Sequence, residues 1–109
     1  MIDFSRAPAC YWSTKTKMSY LQRRIIIYSI LYYAEGVSLV SDAEYDEISR
    51  QLVKMKNENP AEYNKAKYSY AMPEFDGSTG FYIFANLSKN DQNHLMSLAK
   101  MLIKQRGLK

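Results

Sequence analysis

One cysteine, one histidine, three prolines and four glycines are all that this 109-residue chain holds of those four residue types. Each scarcity excludes something. Cys10 alone can form neither an internal disulfide nor a cysteine-based zinc site, so a reducing, cytoplasmic setting is expected. His94 has no cysteine or motif carboxylate beside it, so the sequence shows no hydrolytic triad and no metal-ligand cluster. It reads better as a structural histidine. The few glycines form no phosphate-cradling loop of the P-loop kind. No apolar run approaches ~18 residues, so no membrane span is expected. Met1-Ile2-Asp3-Phe4-Ser5-Arg6 lacks the apolar stretch of a secretion signal. No catalytic constellation and no required cofactor are recognisable, and the chain is expected not to be an enzyme.

Charge is not one-sided either. Fifteen basic and eleven acidic residues leave +4, which tolerates a polyanion without requiring one. Lys15, Lys17, Arg23 and Arg24 near the start, and Lys100, Lys104, Arg106 and Lys109 near the end, would serve a weak nucleic-acid binder. Solvated surface charge explains them equally well.

What the chain has in excess is tyrosine, ten residues in all. Tyrosine gives broad, rigid contact area with one hydroxyl, which suits a binding surface or a core periphery. Apolar residues make up 47%, enough for one core, and the length fits one domain.

Periodicity predicts an irregular arm over 1–16, packed down by Tyr11 and Trp12, and a helix over 17–34. In that helix Leu21, Ile25, Tyr28 and Tyr32 form a stripe at helical spacing, and Gly36 is the stop. A second helix over 42–57 is announced by Ser41 as N-cap, Glu44 three residues on, and the staple pair Val40 and Tyr45. Pro60 marks its end region. Residues 68–72 and 81–85 are rich in strand formers and flank a Pro/Gly/Asp loop over 73–80, which predicts an antiparallel β-hairpin. A last helix over 89–106 carries Leu95, Leu98, Ala99 and Leu102, with Ser88 or Asn90 as cap and Gly107 as stop. The expected fold is thus α+β: a helix–loop–helix module over 17–60, then a hairpin and a C-terminal helix over 61–109.

The densest polar constellation is Tyr32-Tyr33 followed, after seven residues, by Ser41-Asp42-Ala43-Glu44-Tyr45-Asp46. Asp42 and Asp46 are i, i+4 and share a helix face. A short loop would set the tyrosine pair opposite them, making an aromatic pocket with two carboxylates. Such a pocket suits a flat cationic ring, through cation–π stacking and hydrogen bonds to sugar hydroxyls. The residues alone leave a second reading open, an αα-hairpin whose aromatics staple two helices and whose aspartates serve only the helix start.

The run from Leu21-Gln22-Arg23-Arg24 to Tyr32-Tyr33, with Val40-Ser41-Asp42-Ala43-Glu44-Tyr45-Asp46-Glu47-Ile48, resembles the N-terminal helical module of bacterial NAD-dependent DNA ligases. The resemblance covers roughly 18–60. It implies binding of the nicotinamide mononucleotide half of NAD, with Tyr32 and Tyr45 against the ring and nucleotide and Asp42 and Asp46 on its polar groups. Tyr33 stands where many members have histidine. Ligases also carry a lysine two residues before an Asp-Gly pair. Asp76-Gly77 is the sole such pair here, and Glu74 occupies the lysine position. With no room for a nucleotidyltransferase domain in 109 residues, ligation is not expected. The segment from Glu74 to Phe81 is similar to small ligase-like proteins of bacteriophages, which implies a viral origin and a host cytoplasm. In that setting the alternative is a protein-interaction module that binds and inhibits a host or defence protein such as a nuclease.

Overall fold

The computed structural model describes residues 12–77 and 82–107. Their order is α1 (Thr14–Ala34), α2 (Asp42–Glu58), α3 (Pro60–Lys65), a 3-10 turn (Ser69–Ala71), α4 (Ile83–Asn86) and α5 (Lys89–Arg106). Cys10, Tyr11 and the rest of residues 1–11 lie outside the described residues, as do 78–81 and 108–109.

α1 is the axis of the fold and packs against α2, α3, α4 and α5. Its apolar residues go nearly all the way round, as expected of a helix enclosed by others. Met18, Leu21, Ile25, Ile26, Ile27 and Leu31 are all at most 1% exposed. The helix starts inside the expected arm, because the Ser13 side chain caps it by accepting from the Thr16 N–H at 3.2 Å. Trp12 packs edge-on against Tyr20, with ring centroids 5.4 Å apart. Beyond Ala34, Gly36 takes the left-handed conformation (φ 66°), and the Val37 N–H returns to the Leu31 carbonyl at 2.8 Å.

Both other long helices begin as their caps foretell. Ser41 Oγ accepts from the Glu44 N–H at 3.1 Å and Ser88 Oγ from the Asp91 N–H at 3.2 Å. Between them Ser88 rather than Asn90 is the cap of α5, and Gly107 (φ 62°) ends that helix. Each serine caps an exposed helix end, so Ser41→Ala and Ser88→Ala are each expected to cost about 1 kcal/mol of unfolding free energy in urea titrations.

The β-hairpin is not formed. Among the described residues there are helices and turns and no strand, so the fold is all-α rather than α+β. Residues 69–71 are a 3-10 turn, and α4 covers most of 81–85, although Phe81 itself lies outside the described residues. The physical reason is burial spacing. Tyr68, Ala71, Met72 and Phe75 are the buried apolar positions, at i, i+3, i+4 and i+7, which is a helical rather than an alternating pattern. Ile83 and Leu87 repeat it at i, i+4.

The backbone N–H groups of Ser69, Ala71, Met72 and Phe75 return to carbonyls three residues back, and other polar groups of the turn are met by side chains. Gln22, fully buried on α1, accepts from the Tyr68 N–H through Oε1 at 3.0 Å and donates from Nε2 to Ser69 Oγ at 2.8 Å. Ser69 Oγ in turn donates to the Tyr63 carbonyl, and the Tyr63 hydroxyl donates to the Met72 carbonyl. On the outer side, the Tyr70 hydroxyl accepts from the Ser88 N–H at 3.0 Å and donates to Asp91. These bonds fix the turn against α1, α3 and α5.

Burial is the main cause holding the Tyr28, Tyr63 and Tyr68 hydroxyls above the ordinary tyrosine value of 10.0. A raised folded pKa means that the folded protein keeps protons which the unfolded chain releases. The contribution of these three hydroxyls to stability is therefore expected to be constant up to about pH 10, the unfolded tyrosine value, and to fall above it. Unfolding followed by helical circular dichroism, with tyrosinate absorbance in parallel, should show ionisation of these three only together with loss of helix.

Candidate functional site

The end of α1 and the start of α2 meet across the loop 35–41, and a cleft of about 340 Å³ opens between them. α1 supplies Tyr28, Ser29, Tyr32 and Tyr33, which fall at helical i, i+3 and i+4 spacings and so share one side of its last two turns. α2 supplies Asp42, Tyr45 and Asp46 at i, i+3 and i+4. The loop adds Ser38, Leu39 and Val40, and Gly77 closes the far wall. All five residues singled out in the sequence, Tyr32, Tyr33, Asp42, Tyr45 and Asp46, therefore line one cleft.

The aromatic side is open to solvent. Tyr32 and Tyr33 are 58% and 51% exposed, with their rings edge to face at a centroid distance of 5.0 Å. They escape burial because α1 directs Ile27, Ile30 and Leu31 into the core at this level. Tyr45 is held differently. Its ring packs at the edge of the core, and its hydroxyl lies 3.3 Å from Ser29 Oγ. Ser29 spends its single proton on the Ile25 carbonyl at 2.9 Å, so Tyr45 is the donor in this contact. Deeper still, the Tyr28 hydroxyl accepts from Arg24 Nε at 3.1 Å, and the Arg24 guanidinium stands 5.6 Å from the ring centres of both Tyr20 and Tyr28.

Two carboxylates, Asp42 and Asp46, give the cleft its charge, and no lysine or arginine lines it among the described residues. Tyrosine rings beside carboxylates attract an aromatic cation, and the carboxylates can accept from hydroxyl donors.

Ser29 and Tyr28 were accessible to sequence reasoning as site residues, since they precede Tyr32 and Tyr33 on the same helical face. Gly77 was not. It lies 31 residues after Asp46 and reaches the cleft through the turn after Phe75, which Lys56 Nζ anchors by donating to the Phe75 carbonyl at 3.1 Å. Its positive φ of 88° is the reason for glycine there. His94 is exposed on α5 and is not among the residues that line this cleft. Among the described residues no group of three or more His, Cys, Asp or Glu could hold a metal ion. No helix of the described residues is long and apolar enough to cross a membrane.

The described residues thus form a helical module that presents an aromatic and acidic cleft at one end, the kind of concave, few-polar-group surface that small-molecule sites have. Comparison with protein families gives that class its family: the DNA ligase-like, N-terminal NAD+-binding domain matches residues 12–67, just over half the chain, and the protein belongs to it. The matched stretch contains α1, α2 and α3 entire, and with them every cleft residue except Gly77. Neither the comparison with curated proteins nor that with solved structures gave a match.

Proposed function

We propose that the cleft binds the nicotinamide half of NAD, or nicotinamide mononucleotide itself, and that the chain does so without catalysing ligation. One observation carries this reading. Five side chains spread over fifteen positions of sequence converge on one solvent-reachable cleft within a family of NAD+-binding domains. In this reading Tyr32 and Tyr45 contact the positively charged ring, and Asp42 and Asp46 accept the ribose hydroxyls. Tyr33 walls the cleft beside Tyr32. The volume lies at the small end of the ~300–1,000 Å³ usual for small-molecule sites, which suits a ring and its sugar better than a whole dinucleotide. Calorimetry with nicotinamide mononucleotide and with NAD tests it. Saturable heat with at least one ligand is expected, and none from protein with an intact helical spectrum removes the reading.

The non-catalytic part of the proposal rests on Glu74, two residues before Asp76-Gly77. A carboxylate there has no amine with which to take up AMP, and Gly77 serves as a cleft wall. Incubation with NAD is expected to leave the protein's mass unchanged. A mass increase by one adenylate would overturn it.

A second reading, a protein-interaction module, is favoured by an apolar groove of about 470 Å³ where α1, α4 and α5 meet, lined by Ile30, Tyr33, Tyr82, Phe84 and Met96 among others. Tyr82 is 40% exposed at its edge. Exposed aromatic residues of this kind anchor protein interfaces. Tyr82→Ala should abolish any specific capture while leaving nucleotide binding intact.

A further inference from the structure

The nicotinamide reading leaves one requirement unmet. Nicotinamide mononucleotide ends in a phosphate, and no cation lines the cleft among the described residues. Arg24, behind the wall, is occupied by the rings of Tyr20 and Tyr28 and by the Tyr28 hydroxyl.

A second groove begins where the first ends. The two share Asp46 and Gly77 as a common wall, and the second continues along the outer side of α2 past Arg50 and Lys54. Asp46, Arg50, Lys54 and Glu58 succeed one another at i+4, so they form one ridge about 6 Å apart along the helix axis. The ridge reads negative, positive, positive, negative. Its two cations thus stand one and two turns beyond the carboxylate that the first cleft uses.

We infer that this groove is the phosphate subsite of the nicotinamide cleft, with Arg50 and Lys54 as its ligands. The inference rests on the nicotinamide reading, and its geometry follows from it. A ring between Tyr32 and Tyr45, with its ribose against Asp46, directs the 5′ substituent either back toward Asp42 or on across Asp46. The first course meets a second carboxylate and the second meets Arg50. Arg50 is positioned for this by Glu47, which binds one guanidinium nitrogen at 2.8 Å while the side chain stays 68% exposed. A guanidinium offers five donors, and that pair engages one of its nitrogens. Lys54 is exposed and makes no ion pair among the described residues. Asp46 at the shared wall, Asp76 and, beyond Lys54, Glu58 are the groove's opposing charges. They confine the attraction to the stretch between Asp46 and Lys54, so that a monophosphate is favoured over a longer polyanion.

The test compares two ligands that differ by the phosphate alone, nicotinamide riboside and nicotinamide mononucleotide. Each is titrated calorimetrically into wild type, Arg50→Ala, Lys54→Ala and the double variant, with folding checked by circular dichroism. Both side chains lie on an exposed helix face, so the variants are expected to fold. Wild type should bind the mononucleotide roughly tenfold more tightly than the riboside, the gain of a charge-assisted contact to phosphate. The double variant should bind both alike, with riboside affinity unchanged. A mononucleotide preference that survives in the double variant overturns the subsite, as does its absence in wild type. Riboside binding reports on the cleft by itself. Failure of both ligands on wild type removes the nicotinamide reading and the subsite with it, while riboside binding without phosphate preference removes the subsite alone.

Discussion

Asp46→Ala is expected to weaken nicotinamide mononucleotide binding on the order of 30-fold, because the proposed mode loses one of its two carboxylate acceptors for hydroxyl donors. Tyr32→Ala should cost on the order of tenfold, the worth of one stacked ring against a cation. The two effects should not add, since both groups hold one ligand. Neither change should alter stability beyond about 0.5 kcal/mol, because both side chains are exposed and outside the core. That separation gives the experiment its force. Equal affinity in wild type and both variants would mean that these side chains line a cleft which nicotinamide nucleotides do not use. Lost binding accompanied by lost helix would point to a structural role that the geometry gives no reason to expect.

Gln22→Ala should produce the largest loss of stability from a single side chain outside the apolar core, about 3 kcal/mol. Gln22 is fully buried and holds both the Tyr68 N–H and Ser69 Oγ. Removing it leaves the Tyr68 N–H without its acceptor and opens a void beside α1. Against a total stability of ~5–15 kcal/mol for a natural domain, this is a large fraction. Urea unfolding at constant m-value measures it. A change below about 1 kcal/mol would show that the turn after α3 is held by Tyr63 and Tyr70 alone. Nucleotide affinity of the folded fraction should be untouched, since the 3-10 turn contributes nothing to the cleft.

The three long helices were legible because their signals are local. Ser41 and Ser88 announce helix starts by hydrogen bonds that span three residues, and Gly36 and Gly107 mark helix ends by a backbone angle of their own. The error over 68–85 has an equally plain source. Tyr68, Tyr70, Tyr82 and Phe84 favour strands by composition, and composition outweighed the helical spacing of Tyr68, Ala71, Met72 and Phe75. The turn that results is tied to the core by Gln22, 46 residues before Tyr68, which accepts from the Tyr68 N–H. No local pattern marks that glutamine, which sits in the sequence as an ordinary polar residue before an isoleucine run.

The site divides the same way. Tyr32, Tyr33, Asp42, Tyr45 and Asp46 could be named from spacing because two consecutive helices joined by a short loop have few ways to pack, and each helix periodicity fixes which of its residues share a side. Gly77 and the groove that runs past Arg50 needed the turn at residues 73–77 to lie against α2, and that contact is made by chain distant in sequence.

Taken alone, then, the sequence determined the helix starts, the helix ends and the aromatic and acidic faces of one helical hairpin. Each of these is written in interactions between residues at most four apart, or in the backbone preference of a single glycine. Tertiary structure decided that residues 69–71 and 83–86 take up helical turns rather than strands, and that a glycine far along the chain completes the cleft. Both depend on which buried polar group meets which partner across the core, a matter of long-range packing that no short window of residues contains.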